Sequence, residues 1–295
     1  MNTNLLDLFM DPVLSFTNPF IFKKVIANPE DNYIILRSFI QSILGGSEIC
    51  KLQILNSENN FANQFCYDIK VELETKEIIE VLLEMQNPLS SKSEIMERAA
   101  YYTALHAKND DQAITSVLLC DFPIFEREEK WKAIYKFTDD DIEKEEPSNI
   151  LTDKMKVIVL EIDKVDLFAN IPIEQLNALQ RWIILFKMEN IKQILALIKE
   201  EPVFKKALDK LLEIKQNKIE YAWAESHFKY VTDEIAFRLD AQAQGKEEGL
   251  KEGEEKGKKE TKYQMAKQML DENLDIDLII RITGLSEEEI LKLKK

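Results

Sequence analysis

The 295-residue chain has little glycine, few cysteines and almost no histidine. Four of its seven glycines fall in one short segment, so the long stretches without glycine favour helix. The cysteines Cys50, Cys66 and Cys120 have no Cys-x-x-Cys spacing, which argues against a disulfide framework or a structural zinc site and fits a reducing compartment. With only His106 and His227, the chain offers little basis for a histidine-based metal site or a Ser-His-Asp triad.

Long apolar runs and an N-terminal targeting pattern are also missing. No uninterrupted apolar run approaches the ~20 residues that span a bilayer. Lys23 is the first basic residue, and Asp7 and Asp11 precede it, which is the wrong charge for a secretory signal. We therefore predict a cytoplasmic protein with no membrane partner.

Positive charge is in deficit along the chain. The chain has 39 Lys and Arg residues and 54 Asp and Glu residues, which gives a formal net charge of -15. Residues 1–170 carry -13 of this, with 17 basic and 30 acidic residues. This balance argues against nucleic-acid binding through bulk positive potential, but it is compatible with a protein that contacts phosphates through a bound cation.

The first part of the chain alternates strand and helix patterns. Apolar residues at every second position, or in short runs, predict strands at 51–56, 64–73, 78–86, 113–119, 131–137 and 156–162. Helical spacing occurs before and between these strands, including residues 94–108. The pattern predicts an α/β core over residues 1–170.

The rest of the chain is predicted to be all-helical. Residues 171–241 form a helical extension, 242–262 a charged linker helix with glycine at every fourth position, and 263–295 a small helical hairpin. Ser286 and Glu289 fit a capping box at the start of the last helix. Because three glutamates begin that helix and would repel phosphates, we interpret the tail as a packing or interaction hairpin and not as a DNA-binding helix-turn-helix.

The most informative segment is a predicted hairpin that carries two carboxylates on one face. If Leu73 lies opposite Ile79, the apolar faces coincide and Asp68 falls directly opposite Glu84, with Lys70 one step along the same face. Two such acids repel unless a cation lies between them, and Mg²⁺ prefers carboxylate oxygens. A metal-bound water can then attack a phosphodiester. Alternation alone favours an ordinary amphipathic hairpin with a solvated charged face, since antiparallel sheets commonly have one wet face, and the pattern does not decide the function.

A family resemblance favours the first interpretation. Asp68, then fifteen intervening residues and then Glu84-Met85-Gln86, resembles the D…(D/E)-x-K half-site of the PD-(D/E)XK nucleases. More of the chain is similar to one branch, the Rpn recombination-promoting nucleases or PD-(D/E)XK family putative transposases. The similar segments are Thr17–Val25, Arg98–Tyr102, Val159–Lys164, Arg181–Phe186 and the tail from Asp277.

The resemblance implies a fold, an activity and a set of site residues. The fold is a restriction-endonuclease-like core with a helical C-terminal extension. The activity is a metal-dependent DNA endonuclease linked to recombination or mobile elements, with Mg²⁺ (or Mn²⁺ or Ca²⁺) as cofactor. Asp68 and Glu84 would bind the metal, and Gln86, with Lys70, would orient the attacking water. Gln86 replaces the superfamily's lysine, and Pro19 stands near the position where relatives often have an acid before F-K-K.

Other residues have weaker assignments. Arg98 and Tyr102 share one face of a helix. They could contact a substrate phosphate or have a structural role. We expect Glu161 and Lys164 to form a surface ion pair, and His106 to be a hydrogen-bonded structural residue. Trp182 and Trp223 are interpreted as core anchors and not as base-stacking platforms.

Two other functions remain open on the sequence. One is a catalytically degenerate nuclease-fold protein that acts as an interaction module; absence of cation binding between Asp68 and Glu84 would favour it. The other is an acidic surface that mimics DNA and occupies a basic partner. The sequence also leaves open a homodimer and a protein partner of the helical tail.

Overall fold

The computed structural model describes residues 7–29, 32–56, 66–85, 90–107, 112–138 and 150–293, and the statements below concern those residues. Contacts between residues divide the chain into two compact units, Met1–Asp233 and Glu234–Lys295. The domain boundaries predicted at residues 170, 241 and 262 stay predictions, because a compact unit is not by itself an independently folding domain. Within the described residues, no helix combines the length and the apolar composition needed to cross a membrane.

The first unit is built on a mixed six-stranded sheet. Its strands are β1 (Ile49–Asn56), β2 (Cys66–Leu73), β3 (Ile78–Met85), β4 (Ala113–Cys120), β5 (Lys132–Thr138) and β6 (Ile150–Glu161), in the spatial order β1-β2-β3-β4-β6-β5. The central pairs β3–β4 and β4–β6 are parallel and the outer pairs are antiparallel. The predicted strands are therefore present, and the α/β core with a helical extension is confirmed.

The turn of the β2–β3 hairpin is shorter than predicted. The Leu73 N–H donates to the Glu77 carbonyl and the Lys76 N–H donates to the Leu73 carbonyl, both at 2.9 Å. These bonds leave a three-residue loop, which Lys76 closes with a positive φ of 67°. The expected five-residue loop with Leu73 opposite Ile79 is wrong.

The shorter turn shifts the hairpin register by two residues. Asp68 lies opposite Leu82 and not opposite Glu84, and Lys70 lies opposite Glu80. A shift of two keeps every side chain on its predicted face, because side chains alternate with period two. The acids therefore share a face as predicted, although their pairing is different.

One face of the sheet carries the main apolar core. The helices that supply it are α1 (Pro19–Val25), α2 (Ile34–Ile43), α4 (Ala178–Lys187), α5 (Ile191–Glu200) and α6 (Pro202–Gln216). Phe39, Trp182 and Phe186 pack in its centre, with ring centroids 5.0–5.8 Å apart. This packing confirms Trp182 as a buried core residue.

The opposite face of the sheet is covered by α3 (Lys92–His106), which forms the crossover between the parallel strands β3 and β4. Ser91 and Glu94 cap its N-terminus reciprocally: each side chain accepts a backbone N–H of the other residue. Ile95 and Ala99 on α3 pack on Leu118, Val157 and Val159 of the sheet. This contact holds α3 on β4 and β6, beside the hairpin strands β2 and β3.

The helical part after residue 217 consists of α7 (Lys218–Asp271), α8 (Ile276–Thr283) and α9 (Glu287–Leu293). In the second unit, Ala266, Ile279, Leu285 and Ile290 form a small apolar core. Gly284 ends α8 with a positive φ of 66°, the left-handed conformation that favours glycine. The predicted capping box is present, since Ser286 and Glu289 bond each other's backbone N–H groups.

Candidate active site

The candidate site lies where β2 and β3 face α3. Asp68 on β2 and Glu80 and Glu84 on β3 point to this face. Because Asp68 lies opposite Leu82, the two glutamates are its diagonal neighbours on either side along β3. Direct opposition of Asp68 and Glu84 was the expectation, and the observed diagonal arrangement corrects it.

Helix α3 provides a different partner for each glutamate. The Arg98 guanidinium lies 3.1 Å from the Glu84 carboxylate, and His106 Nδ1 lies 2.6 Å from Glu80 Oε1. Tyr102 lies midway between them, since the three residues are four positions apart and share one face of the helix. Both glutamate side chains are only about 10% exposed.

A small cavity lies between β2, β3 and α3. Its volume is about 20 Å³, which is enough for one water molecule or one cation. Asp68, Glu84, Tyr102 and His106 supply its polar lining, together with Ser116 of β4. The apolar side chains of Leu82, Ala99 and Leu118 complete the wall.

The predicted site residues meet to different extents. Asp68 and Glu84 line the same cavity, and Arg98 and Tyr102 approach it from α3. Lys70 is half-buried on the same face but lies opposite Glu80, farther from Glu84 than predicted. Gln86 lies outside the described residues.

Two residues near the cavity were not recognised as site residues from the sequence. The sequence assigns no role to Glu80, and from it His106 is expected to be a structural residue. His106 is indeed hydrogen-bonded, but it also lines the cavity, and its partner is Glu80. The signal in the sequence was the four-residue spacing from Arg98 through Tyr102 to His106 on one helix.

The chemistry of the donor set fits a divalent cation. Carboxylate oxygens from two strands converge on a water-sized cavity, and hard cations such as Mg²⁺ prefer oxygen ligands. The donor atoms of Asp68, Glu80 and His106 all lie within 4.8 Å of one another. The residues present could thus hold a metal ion at this face.

Comparison with known families decides the classification. The model of the PD-(D/E)XK nuclease family transposases matches residues 17–240, more than half of the chain. The chain belongs to this family. Residues 259–295 match the C-terminal HTH domain of the Rpn/YhgA-like nuclease family. No curated protein and no solved structure matches the chain.

The second match corrects the interpretation of the tail. The matched residues cover the end of α7 with α8 and α9, so the tail is a helix-turn-helix domain and not merely a packing hairpin. One of its three consecutive glutamates serves the fold: Glu289 accepts hydrogen bonds from the Ser286 N–H and the Tyr263 hydroxyl. These bonds lower the pKa of the Glu289 carboxyl to about 2.

Two further expectations of the sequence are wrong in this nuclease domain. Glu161 is fully buried and accepts the backbone N–H groups of Ile124 and Phe125, so its pair with Lys164 (3.3 Å) is not a surface ion pair. It anchors the loop after β4. Trp223 is 57% exposed on α7 and is not a core anchor.

Proposed function

We propose that the chain is a metal-dependent DNA endonuclease that hydrolyses phosphodiester bonds. Membership of a PD-(D/E)XK nuclease family supports the reaction class, and the helix-turn-helix domain supports DNA as the substrate. The observation that carries the proposal is the convergence of Asp68 and Glu84 on one cavity beside α3. Mg²⁺ is the proposed cofactor, and recombination or mobile-element activity is the proposed context.

Each residue of the site has a role in this proposal. Asp68 and Glu84 would hold the cation, which supplies positive charge to the phosphate and lowers the pKa of water. Arg98 holds the Glu84 carboxylate in place through its ion pair, and Tyr102 borders the cavity, where it can contact a substrate phosphate. Gln86 follows Glu84 by two residues, and its amide would orient the attacking water with help from Lys70.

The overall charge of -15 constrains how DNA binds. An acidic protein gains little from non-specific attraction to the phosphate backbone, so affinity must come from local contacts. The helix-turn-helix domain and the cation site are two such contacts. We therefore expect DNA affinity to depend on the divalent cation.

The test is cleavage of supercoiled plasmid with Mg²⁺ or Mn²⁺. We expect Asp68→Ala and Glu84→Gln to lower nicking at least about 100-fold, since metal ligands are removed. Glu72→Gln is the matched control, because Glu72 lies on the same strand and face as Asp68 but pairs with exposed Lys51 (4.0 Å). Circular dichroism checks that each variant is folded.

Two results would contradict the proposal. Undiminished cleavage by Asp68→Ala would show that another site or a contaminant cuts the plasmid. Equal inactivity of the wild type and all variants with every cation would instead indicate a degenerate nuclease fold.

A further inference from the structure

We propose that Asp68, Glu80 and His106 form a second divalent cation site, next to the position between Asp68 and Glu84, and that it prefers a transition metal. The inference concerns cation binding and does not require that the chain cleaves DNA. It rests on four observations: the hairpin register, the partners that α3 provides, the geometry of the donors and their burial.

The hairpin register makes the surroundings of Asp68 nearly symmetric. Glu84 lies diagonally on one side and Glu80 on the other, both on the face toward α3. Asp68 can therefore share a cation with either glutamate. The register predicted from the sequence placed Glu80 opposite Glu72, which hid this arrangement.

The residues that α3 contributes differ between the Glu84 side and the Glu80 side of Asp68. Arg98 faces Glu84 and is always charged, so it can neutralise a carboxylate but can never bind a metal. His106 faces Glu80, and neutral imidazole is the commonest metal ligand among side chains. The side of Glu80 thus offers a nitrogen donor and the side of Glu84 does not.

The geometry of the three donors suits one ion. Each comes from a different element, β2, β3 or α3, and their donor atoms lie within 4.8 Å of one another. Ligands bound at about 2.1 Å to one cation lie roughly 3–4 Å apart, so only small side-chain shifts are needed. A cation here would replace the 2.6 Å hydrogen bond between His106 and Glu80 with two coordinate bonds.

The burial of Glu80 makes a cation favourable. Its side chain is only 10% exposed, and a second carboxylate, Asp68, lies close by. Lys70 is the cross-strand neighbour of Glu80, yet in the described part of the chain the two form no ion pair. Two close carboxylates in a poorly solvated site repel, and a divalent ion removes that repulsion.

The mixed donor set predicts metal preference. Oxygen ligands alone suit Mg²⁺ and Mn²⁺, whereas an imidazole nitrogen suits transition metals such as Zn²⁺ and Fe²⁺ better than Mg²⁺. We expect Mn²⁺ to occupy both positions and Mg²⁺ to compete for the position between Asp68 and Glu84 far better than for the one at His106.

The experiment is a titration of the full chain with Mn²⁺ in the absence of DNA. The EPR signal of free Mn²⁺ measures how many ions are bound. The wild type is expected to bind two ions. In His106→Ala and in Glu80→Gln, the affinity for the Mn²⁺ ion at His106 is expected to fall at least about 10-fold. Glu84→Gln is expected to lose the other ion, which lies between Asp68 and Glu84. His227→Ala is the matched control, because His227 is on α7 and contacts Phe20, away from the acids. It should bind two ions.

A second readout identifies the ligand directly. Pulsed EPR of bound Mn²⁺ should show coupling to an imidazole nitrogen in the wild type and in His227→Ala. His106→Ala and His106→Gln should both lack this coupling, and circular dichroism confirms that at least one of them is folded. A nitrogen signal that survives in a folded His106 variant overturns the inference.

The outcomes separate this inference from the proposed nuclease activity. The same number of bound Mn²⁺ ions in the wild type and in folded His106→Ala overturns the second site even if plasmid is cut. Two ions with the expected losses establish the site, even if no plasmid is cut and the nuclease proposal fails.

Discussion

The two faces of the sheet are made from the same strands but carry different chemistry. On one face Val81 and Leu83 pack with the aromatic rings contributed by α1, α2 and α4. On the other face, Glu80 and Glu84 alternate with them along β3 and lie under the single helix α3. Strand β3 is buried on both sides, so burial alone does not distinguish a core face from a functional one.

The two faces differ in what they contribute: one supplies most of the folding stability, and the other carries the candidate site. A face that buries large aromatic side chains contributes most of the hydrophobic free energy of folding. The face under α3 has a small apolar cluster over β4 and β6, and carboxylates over β2 and β3. We expect substitutions on the first face to act on folding and those on the second to act mainly on ligand binding.

The largest effect on the free energy of unfolding is expected on the sheet face that packs against the aromatic rings of α1, α2 and α4. Trp182→Ala should lower the free energy of unfolding by about 3–5 kcal/mol, because a 1% exposed indole in contact with Phe39, Phe186 and Phe204 is removed. Urea unfolding measures this change. Trp223→Ala, at a 57% exposed position, should cost less than about 1 kcal/mol. Equal losses in the two variants would break the contrast between core and exposed tryptophans.

An intermediate effect on the free energy of unfolding is expected on the sheet face under α3. Arg98→Met should lower the free energy of unfolding by about 1–3 kcal/mol, because the Glu84 carboxylate keeps its charge and loses a cation 3.1 Å away. In Arg98→Met with Glu84→Leu most of this loss should be recovered, since the buried carboxylate is then removed as well. Lys51→Met, in an exposed pair with Glu72, should change stability by less than about 0.5 kcal/mol. A loss from Arg98→Met no larger than that from Lys51→Met would show that the ion pair does not support the fold.

The smallest effect concerns Cys120, which is fully buried at the end of β4 on the α3 face. Burial, with smaller contributions from the Glu161 and Glu84 carboxylates, raises the pKa of its thiol from 9.0 to about 12. Because the folded pKa is above the unfolded one, the proton stabilises the folded state below pH 9, and this stability is lost as the pH rises toward 12.

The measurement is urea unfolding at pH 7.5 and pH 10. Wild type should lose roughly 1 kcal/mol more than Cys120→Val between these two pH values. Cys50→Val is the control, because it removes an exposed thiol and keeps the buried one. Identical pH dependence in wild type and Cys120→Val would mean that the thiol ionises as easily in the folded protein as in the unfolded one.

Much of the fold could be predicted from the chain. Alternation along Tyr67–Leu73 and Ile79–Met85 identified two strands and the face of each side chain, since period two is a local property of extended backbone. The capping pattern likewise placed Ser286 before α9. The motif from Asp68 to Gln86, together with the similar segments elsewhere in the chain, indicated the nuclease family whose model matches residues 17–240.

Part of the site could not be predicted in this way. The register depends on a turn in which Lys76, and not a glycine, adopts positive φ, a choice that residue preferences disfavour. Glu161 looked like a surface residue because its stabilising donors, the backbone N–H groups of Ile124 and Phe125, carry no side-chain signal. Burial of a charge depends on such donors, which only the folded chain brings together.

By itself, the sequence determined the strands, the faces of their side chains, the family and the presence of Asp68 and Glu84 on one face. These features depend on local periodicity and on a short motif, which act within a few residues of the backbone. The tertiary structure decided which residues meet: it placed Asp68 between Glu84 and Glu80, and it set Arg98 and His106 against them. The physical reason is that the turn geometry and the packing of α3 on β4 and β6 join residues far apart in the chain, and no local pattern specifies those contacts.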